Sequence, residues 1–248
     1  MSRYFVTRFP ELDSTNRHAL AHLDELADGQ VIQADVQTAG HGRMRRKWVS
    51  HVPGNLCLTL VLKPPAAAKA AAMPLANLSQ LLALSVCRAL EAYGAAATIK
   101  WPNDVLVGGR KIAGLLAETV VRGSRLSGIA LGVGVNLNLD EAVLAEIDQP
   151  ATALCQVTGS TVRVEDFRDL VLEDFFDRRE ALMERGFPLI REEYRARCPF
   201  LGSRVEVRRP GGTVLGIARD ISPEGALELL ADDGGLLEIG IGEIFAAP

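Results

Sequence analysis

The sequence predicts an α+β protein: a mixed, largely antiparallel sheet with helices packed against it, followed by a small β-barrel. Three features predict this. Residues 76–93 carry apolar side chains at helical spacing (Leu78, Leu81, Leu82, Val86, Ala89, Leu90). Residues 97–138 read instead as extended runs joined by tight turns, with Gly108-Gly109 as a hairpin signal. After Pro199 the pattern shifts to short β-prone runs between Gly- and Asp-bearing turns, which divides the chain into domains 1–199 and 200–248.

Taken in order, residues 4–9 suit a short strand. Asp13-Ser14-Thr15-Asn16 then supplies capping residue types directly before Ala19, Leu20, Leu23 and Leu26, the apolar face of a helix. Residues 30–36 and 55–62 are strand candidates, the second apolar enough to be buried and stopped by Lys63-Pro64-Pro65. The helix of residues 76–93 ends at Gly94, a C-cap residue. Residues 98–101 and 105–107 are extended on either side of a turn at Pro102-Asn103-Asp104, and residues 111–118 return after the glycine pair. Residues 127–138 form another buried strand, where Gly132 and Gly134 admit a close neighbour. Helices are expected within 151–159, 165–185 and 188–197, and strands at 204–207, 213–218, 226–230 and 236–239.

Composition bounds the function. The 248 residues are 48% hydrophobic and 23% charged, as in an ordinary globular protein with a sizeable core. A net charge of −4 argues against a dedicated nucleic-acid binder. The four cysteines lie far apart without metal-ligand spacing and read as buried thiols of a reducing compartment. The N-terminus lacks the apolar segment of a signal peptide, and the alanine run of 66–72 is short and contains Lys69. A cytoplasmic location is expected.

Against this acidic background stands Gly40-His41-Gly42-Arg43-Met44-Arg45-Arg46-Lys47, closed by Trp48. Glycines let a backbone approach a bound group, and arginine forks suit phosphate and carboxylate. By itself such a run reads equally as a solvated basic loop. The Asn103-Asp104 turn with Lys111 on the returning strand reads, in isolation, more readily as a plain hairpin with an Asx turn and a surface lysine. The fragment Gly132-Val133-Gly134-Val135-Asn136 is no dinucleotide fingerprint, and no P-loop motif occurs. Any handling of ATP is therefore of another type.

In combination these motifs are specific. DSTN, QTAGHGRMRRKW, KWPNDV, RKIAGLLAE and GVGVNLN, in this order and at these spacings, resemble the bacterial biotin–protein ligases, biotin–[acetyl-CoA carboxylase] ligase, in the short form without a DNA-binding domain. The resemblance covers about residues 10–245. It implies a class II synthetase-like catalytic domain and an SH3-like barrel at the C-terminus. It implies biotin and ATP as substrates with Mg²⁺, activation of biotin as biotinyl-5′-AMP, and transfer to a lysine of a biotin carboxyl carrier protein. On the matching positions, Ser14, Thr15, Asn16 and Gln37 bind the biotin ring system. The loop Gly40, His41, Gly42 and Arg43 folds over biotin and phosphate, with Arg43 counted as catalytic. Arg46 and Trp48 face the adenylate, Trp48 against adenine. Asn103, Asp104 and Asn136 belong to the nucleotide side. Lys111, the second catalytic residue, contacts the biotin carboxyl and phosphate oxygens, and Gly114 lies beside biotin. No dedicated metal site is implied; Mg²⁺ would come with ATP, near Asp104. Two positions depart from the family pattern: His41 replaces an arginine, and Arg45 a glycine, which bears on the conformation of the loop tip.

Other readings differ in what they need. A lipoate or octanoate ligase of the same superfamily needs an apolar tunnel. A biotin-responsive repressor needs a DNA-binding domain, and only twelve residues precede Asp13. A noncatalytic anion- or nucleic-acid-binding module needs stacking aromatics, which make up 5% of this chain. The expected protein is a monomer or homodimer with no DNA and no membrane partner.

Overall fold

The computed structural model describes residues 3–63, 75–123 and 125–247, and for Arg45 the backbone alone. The alanine run of 66–72 lies outside the described residues. Strands β1 (Phe5–Leu12), β2 (Gln30–Gln37), β3 (Leu56–Leu62), β4 (Ala97–Lys100), β5 (Asp104–Val107), β6 (Arg110–Arg122) and β7 (Arg125–Val135) form one sheet in the order β1-β2-β3-β7-β6-β5-β4. β1 and β2 run parallel, and the remaining neighbours are antiparallel. The helices are α1 (Thr15–Ala21), α2 (Leu75–Ala92), α3 (Glu141–Leu144), α4 (Leu154–Thr158), α5 (Val164–Arg185) and α6 (Arg191–Ala196). A second, antiparallel sheet holds β8 (Arg204–Arg209), β9 (Gly212–Ile221), β10 (Leu227–Ala231), β11 (Leu236–Ile239) and β12 (Glu243–Ala246), in the order β11-β10-β9-β8-β12. The architecture is α+β, as expected. The closed barrel is not found: β11 pairs with β10 and β12 with β8, so the two four-residue strands remain the edges of an open sheet.

Burial explains the elements. Every residue of β3 is buried, because both faces of the central strands are covered: α1 lies on one side of β3 and β7, α2 on the opposite side of the sheet's other half. α2 is apolar nearly all round because it packs on β4–β6 and on α5 at once. Gly108 and Gly109, at φ 57° and 73°, make the β5–β6 turn that the sequence signalled.

The small sheet does not stand apart. Ala218, Ile221, Leu227 and Leu229 join the same hydrophobic cluster as α2 and the large sheet. The β9–β10 turn docks it: Trp101 Nε1 and Gln80 Nε2 both donate to the Gly225 carbonyl, at 3.3 and 2.8 Å, and Asn77 Nδ2 donates to the Glu224 carbonyl at 2.9 Å. Gly225 is required there. Its φ is +89°, and a Cβ would stand 2.5 Å from Gln80 Oε1.

Some boundaries differ from the sequence pattern. α1 stops at Ala21, and Leu23 is buried from the following turn, against Gly128, whose missing Cβ makes the room. Of residues 151–159 only the Leu154–Thr158 part is helical, since Ala151 bridges to Lys111 as extended chain. α3 and β12 were not expected; each is four residues, too short for a period to show. Gly225→Val is expected to lower the unfolding free energy by about 1–3 kcal/mol through left-handed backbone strain alone. Urea denaturation measures this, and an unchanged midpoint would contradict docking through this turn.

Candidate functional site

One cavity of about 450 Å³ collects most of the predicted residues. Ser14, Thr15, Asn16 and Gln37 line it at the β2–α1 end, and His41, Gly42, Arg43, Arg46 and Trp48 from the basic loop. Asn103, Asp104, Lys111 and Gly114 line it from β4–β6. Two predicted residues are elsewhere. Gly40 sits behind the cavity, where a Cβ would lie 2.9 Å from Ser50 Oγ and 3.0 Å from both Gln37 Nε2 and the Trp48 carbonyl. Asn136 lines a separate pocket of about 20 Å³ on the far side of Trp48 and Lys111.

The β2–α1 end is a polar floor bonded to itself. Ser14 caps α1, its Oγ accepting the Arg17 N–H at 3.5 Å. Gln37 Oε1 accepts the Thr15 N–H at 2.9 Å, while Gln37 Nε2 donates one proton to Ser50 Oγ at 3.3 Å. Thr59 Oγ1 lies 2.6 Å from Asn16 Oδ1 and 2.8 Å from Thr15 Oγ1. Asn16 Nδ2 donates to the Leu116 carbonyl and, at 2.8 Å, to Glu118 Oε2. The Asn16 amide is thus committed at both ends. Gln37 also meets the Cys57 thiol, and among the described residues the Ser14 hydroxyl proton has no acceptor. Thr59, Ser50 and Glu118 were not anticipated. Thr59 did carry a signal, as the one polar residue inside an otherwise apolar buried strand.

The basic loop closes on itself and is then held from three directions. Gly42 N–H donates to the Arg46 carbonyl at 2.8 Å, Arg46 N–H to Arg43 at 3.2 Å, and Trp48 N–H to Gly40 at 2.9 Å. The left-handed residue at its tip is Met44, φ 56°, one position before Arg45. His41 Nε2 reaches to 3.5 Å from Glu118 Oε2 on β6. Arg43 Nη1 donates to Asn103 Oδ1 and to the Gly242 carbonyl, both at 3.0 Å. Arg46 binds the Glu243 carboxylate through two nitrogens, at 2.8 and 2.7 Å. That bond raises the Arg46 pKa further. Burial pushes the Glu243 carboxyl up, but Arg46 and the charge of Lys100 outweigh it and hold Glu243 below the usual glutamate range.

Trp48 rests on glycine. Gly114 and Gly134 are register partners across β6 and β7. A Cβ on Gly134 would stand 2.3 Å from Trp48 Cε2, and one on Gly114 would stand 3.4 Å from Trp48 Cζ3 and 3.3 Å from Lys111 Nζ. Lys111 Nζ pairs with Asp104 Oδ1 at 2.8 Å and lies 6.0 Å from the Trp48 ring centroid. Behind Trp48, Asn136 Nδ2 donates to the Thr152 carbonyl at 3.1 Å, leaving Asn136 Oδ1 buried without a partner among the described residues. Cys57 lies beside Trp48, Ser50 and Gln37, and burial pushes its thiol up to about 11, so no thiolate forms there at neutral pH.

The cavity therefore offers a wall of cations, a polar floor and, among the described residues, no activated side-chain nucleophile. Among those residues seven lysines and arginines line it against two carboxylates, in a chain whose net charge is −4. Such a site can bind and activate a polyanion.

Comparison with known proteins agrees. Residues 9–136 match the biotin/lipoate A/B protein ligase family, and residues 200–246 match the biotin protein ligase C-terminal domain. The chain is 37% identical over 238 residues to the biotin–[acetyl-CoA-carboxylase] ligase of Paracoccus denitrificans, covering 94% of this chain and 97% of that one. It is 35% identical over 226 residues to the ligase of the same name from Mycobacterium tuberculosis, covering 90% and 81%. Among solved structures, the biotin protein ligase of Aquifex aeolicus in complex with biotin and ATP has a TM-score of 0.80 at 28% identity, over 97% of both chains. The chain belongs to the biotin/lipoate A/B protein ligase family.

Proposed function

We propose that this protein activates biotin with ATP as biotinyl-5′-AMP and transfers the biotinyl group to a lysine of a biotin carboxyl carrier protein, that of acetyl-CoA carboxylase or a related carboxylase. The observation that carries this reading is the two-ended cavity: an internally bonded polar floor at one end and a cationic wall at the other. The biotin ring would meet the Ser14 hydroxyl and the Gln37 amide, with Thr15 between them. Asn16 would act by seating α1 on the sheet. The loop of His41–Arg43, rooted at Gly40, would cover biotin and phosphate.

In the first step a biotin carboxylate oxygen attacks the α-phosphorus of ATP. A new O–P bond forms, and the bond to the bridging oxygen breaks with its electron pair, which leaves on pyrophosphate. Negative charge grows at phosphorus as two anions meet, and Arg43, Arg46 and Lys111 counter it from fixed positions. The mixed anhydride is open to hydrolysis, and the loop held by His41, Arg43 and Arg46 shields it. In the second step the carrier lysine, as a free amine, attacks the biotinyl carbonyl and AMP departs. Trp48 would lie against adenine. Asn136 would offer its unpartnered Oδ1 to the exocyclic amine, after Trp48 moves to open the small pocket.

Magnesium would enter on the triphosphate. Asp104 is bonded to Lys111, and among the described residues no three His, Cys, Asp or Glu side chains are grouped to hold a metal. We read residues 1–199 as the catalytic domain and 200–248 as an SH3-like domain, on the strand order that returns β12 beside β8. No helix among the described residues is long and apolar enough to cross a membrane, in keeping with a cytoplasmic enzyme.

A lipoate or octanoate ligase is the second reading, given the family's name. The polar floor favours a ureido ring over an acyl tail. Pyrophosphate release measured with biotin, lipoate and octanoate separates the two: biotin alone is expected to support it, and release with either fatty acid but not biotin would reverse the choice. Lys111→Ala is expected to slow biotinyl-5′-AMP formation by on the order of 10²–10³-fold; a wild-type rate would remove Lys111 from the mechanism. The Arg46–Glu243 contact also carries a pH signature. Because Glu243 is held low in the folded chain, its stabilising contribution is complete above the ordinary glutamate range and is lost as pH falls through that range and below it. Unfolding free energies followed from neutral to acid pH should converge for wild type and Glu243→Gln; a difference that stays constant would contradict the pairing.

A further inference from the structure

The polar floor has a second layer behind it. Neither Thr59, in the middle of β3, nor Glu118, on β6, is among the residues lining the cavity. Both are bonded to α1, and a count of protons fixes the direction of each bond. Asn16 Nδ2 faces two acceptors, the Leu116 carbonyl at 3.3 Å and Glu118 Oε2 at 2.8 Å. These acceptors orient the amide, so its oxygen is the end that meets Thr59. Thr59 Oγ1 lies 2.6 Å from Asn16 Oδ1, which has no proton to give, so the single hydroxyl proton of Thr59 is committed there. Toward Thr15 Oγ1, 2.8 Å away, Thr59 can then only accept. The Thr15 proton therefore turns to Thr59. Turned instead to Gln37 Oε1, at 3.2 Å, it would leave two hydroxyl oxygens facing each other lone pair to lone pair. Gly132 makes room for the chain: a Cβ there would stand 2.3 Å from Asn16 Oδ1.

Thr15 Oγ1, at the cavity surface, is left with lone pairs alone. We propose that Thr59 and Glu118 are positioning residues that make Thr15 Oγ1 a fixed acceptor, and that this polarity selects a ligand ring carrying an N–H donor at that point. The proposal rests on the biotin-activation reading and deepens it: the floor reads a ureido N–H, in addition to the shape of the ring. Hydrogen bonds in a row polarise one another, and here every donor points toward the Glu118 carboxylate. Its charge thereby strengthens acceptance at Thr15 without meeting the ligand. His41 Nε2, 3.5 Å from the same Glu118 oxygen, holds that carboxylate from the loop side. Beside Thr15, the Ser14 hydroxyl proton, with no acceptor among the described residues, supplies a donor for a ring carbonyl. An acceptor next to a donor matches the N–H and C=O of a cyclic urea. A dithiolane ring or an alkyl chain brings no proton to Thr15 and would bury its lone pairs unpaired.

The test uses the full chain and the two carbamate analogues of biotin, each with one ring N–H replaced by oxygen. Affinities for biotin and both analogues are measured by calorimetry for wild type, Thr59→Val, Thr59→Ser and Glu118→Gln. Valine keeps the shape of threonine within an apolar strand and removes the hydroxyl. In wild type one carbamate is expected to bind about tenfold or more below biotin, because its ring oxygen meets Thr15 lone pair to lone pair. Thr59→Val is expected to weaken biotin about tenfold and to leave that carbamate where it was, because the freed Thr15 proton can turn to the ring oxygen. Thr59→Ser returns the hydroxyl and is expected to restore both values. Glu118→Gln is expected to narrow the biotin-to-carbamate ratio about twofold, and an unchanged ratio would take Glu118 out of the chain. Unchanged biotin affinity in Thr59→Val would overturn the proposal, and so would a loss of biotin and both carbamates by one common factor. Should Thr59→Val not fold, wild type still decides: both carbamates held as tightly as biotin would overturn the proposal and leave biotin activation standing. A wild type that binds no biotin and releases no pyrophosphate with it would refute the functional reading, and this proposal with it.

Discussion

The contact on which the site depends is Trp48 lying on the backbone of β6 and β7. Two glycines in register, Gly114 and Gly134, leave a patch of sheet with no side chains, and the indole fills it. That contact fixes the C-terminal root of the basic loop, while Gly40, packed under Ser50 and Gln37, fixes the N-terminal root. With both roots set, Arg43 and Arg46 line the cavity. Trp48 also divides the large cavity from the small pocket of Asn136, so its position decides whether the two act as one site.

The second constraint is electrostatic. Cations gathered around one cavity repel each other, and the fold holds them with internal acceptors: Asp104 for Lys111, Glu243 for Arg46 and Lys100, and the Asn103 amide with the Gly242 carbonyl for Arg43. Glu243 and Gly242 come from β12, nearly two hundred residues along the chain from the loop they hold. This is why the small sheet must be docked firmly, and the Gly225 turn against Trp101, Gln80 and Asn77 does that. Anionic substrates exchange these internal partners for phosphate and carboxylate oxygens, so the loop can be ordered before binding and retained after it.

Much of this was legible in the sequence. The capping run before α1, the period of α2, the glycine pair between β5 and β6, and the concentration of charge in residues 40–48 each follow from local rules that tertiary structure did not override. What could not be read depends on contacts between distant segments. Arg46 gives no sign that its partner is Glu243, and Asn16 gives none that its partners are Thr59, Leu116 and Glu118. Arg208 and Arg209 border the cavity only because docking of the second sheet carries β8 there. Closure of the small sheet was not legible either: a strand spacing that suits a barrel does not specify whether β11 and β12 meet.

The most direct measurement is the rate of pyrophosphate release from biotin and MgATP by Gly134→Ala, alongside its urea midpoint. The added methyl collides with Trp48 at a position where the sheet itself has room for an alanine backbone. Release is expected to fall by on the order of 10²-fold or more, in a chain that stays folded at neutral pH. Wild-type release from a folded variant would contradict it, because the loop would then be shown to close over the substrates without the glycine seat beneath Trp48.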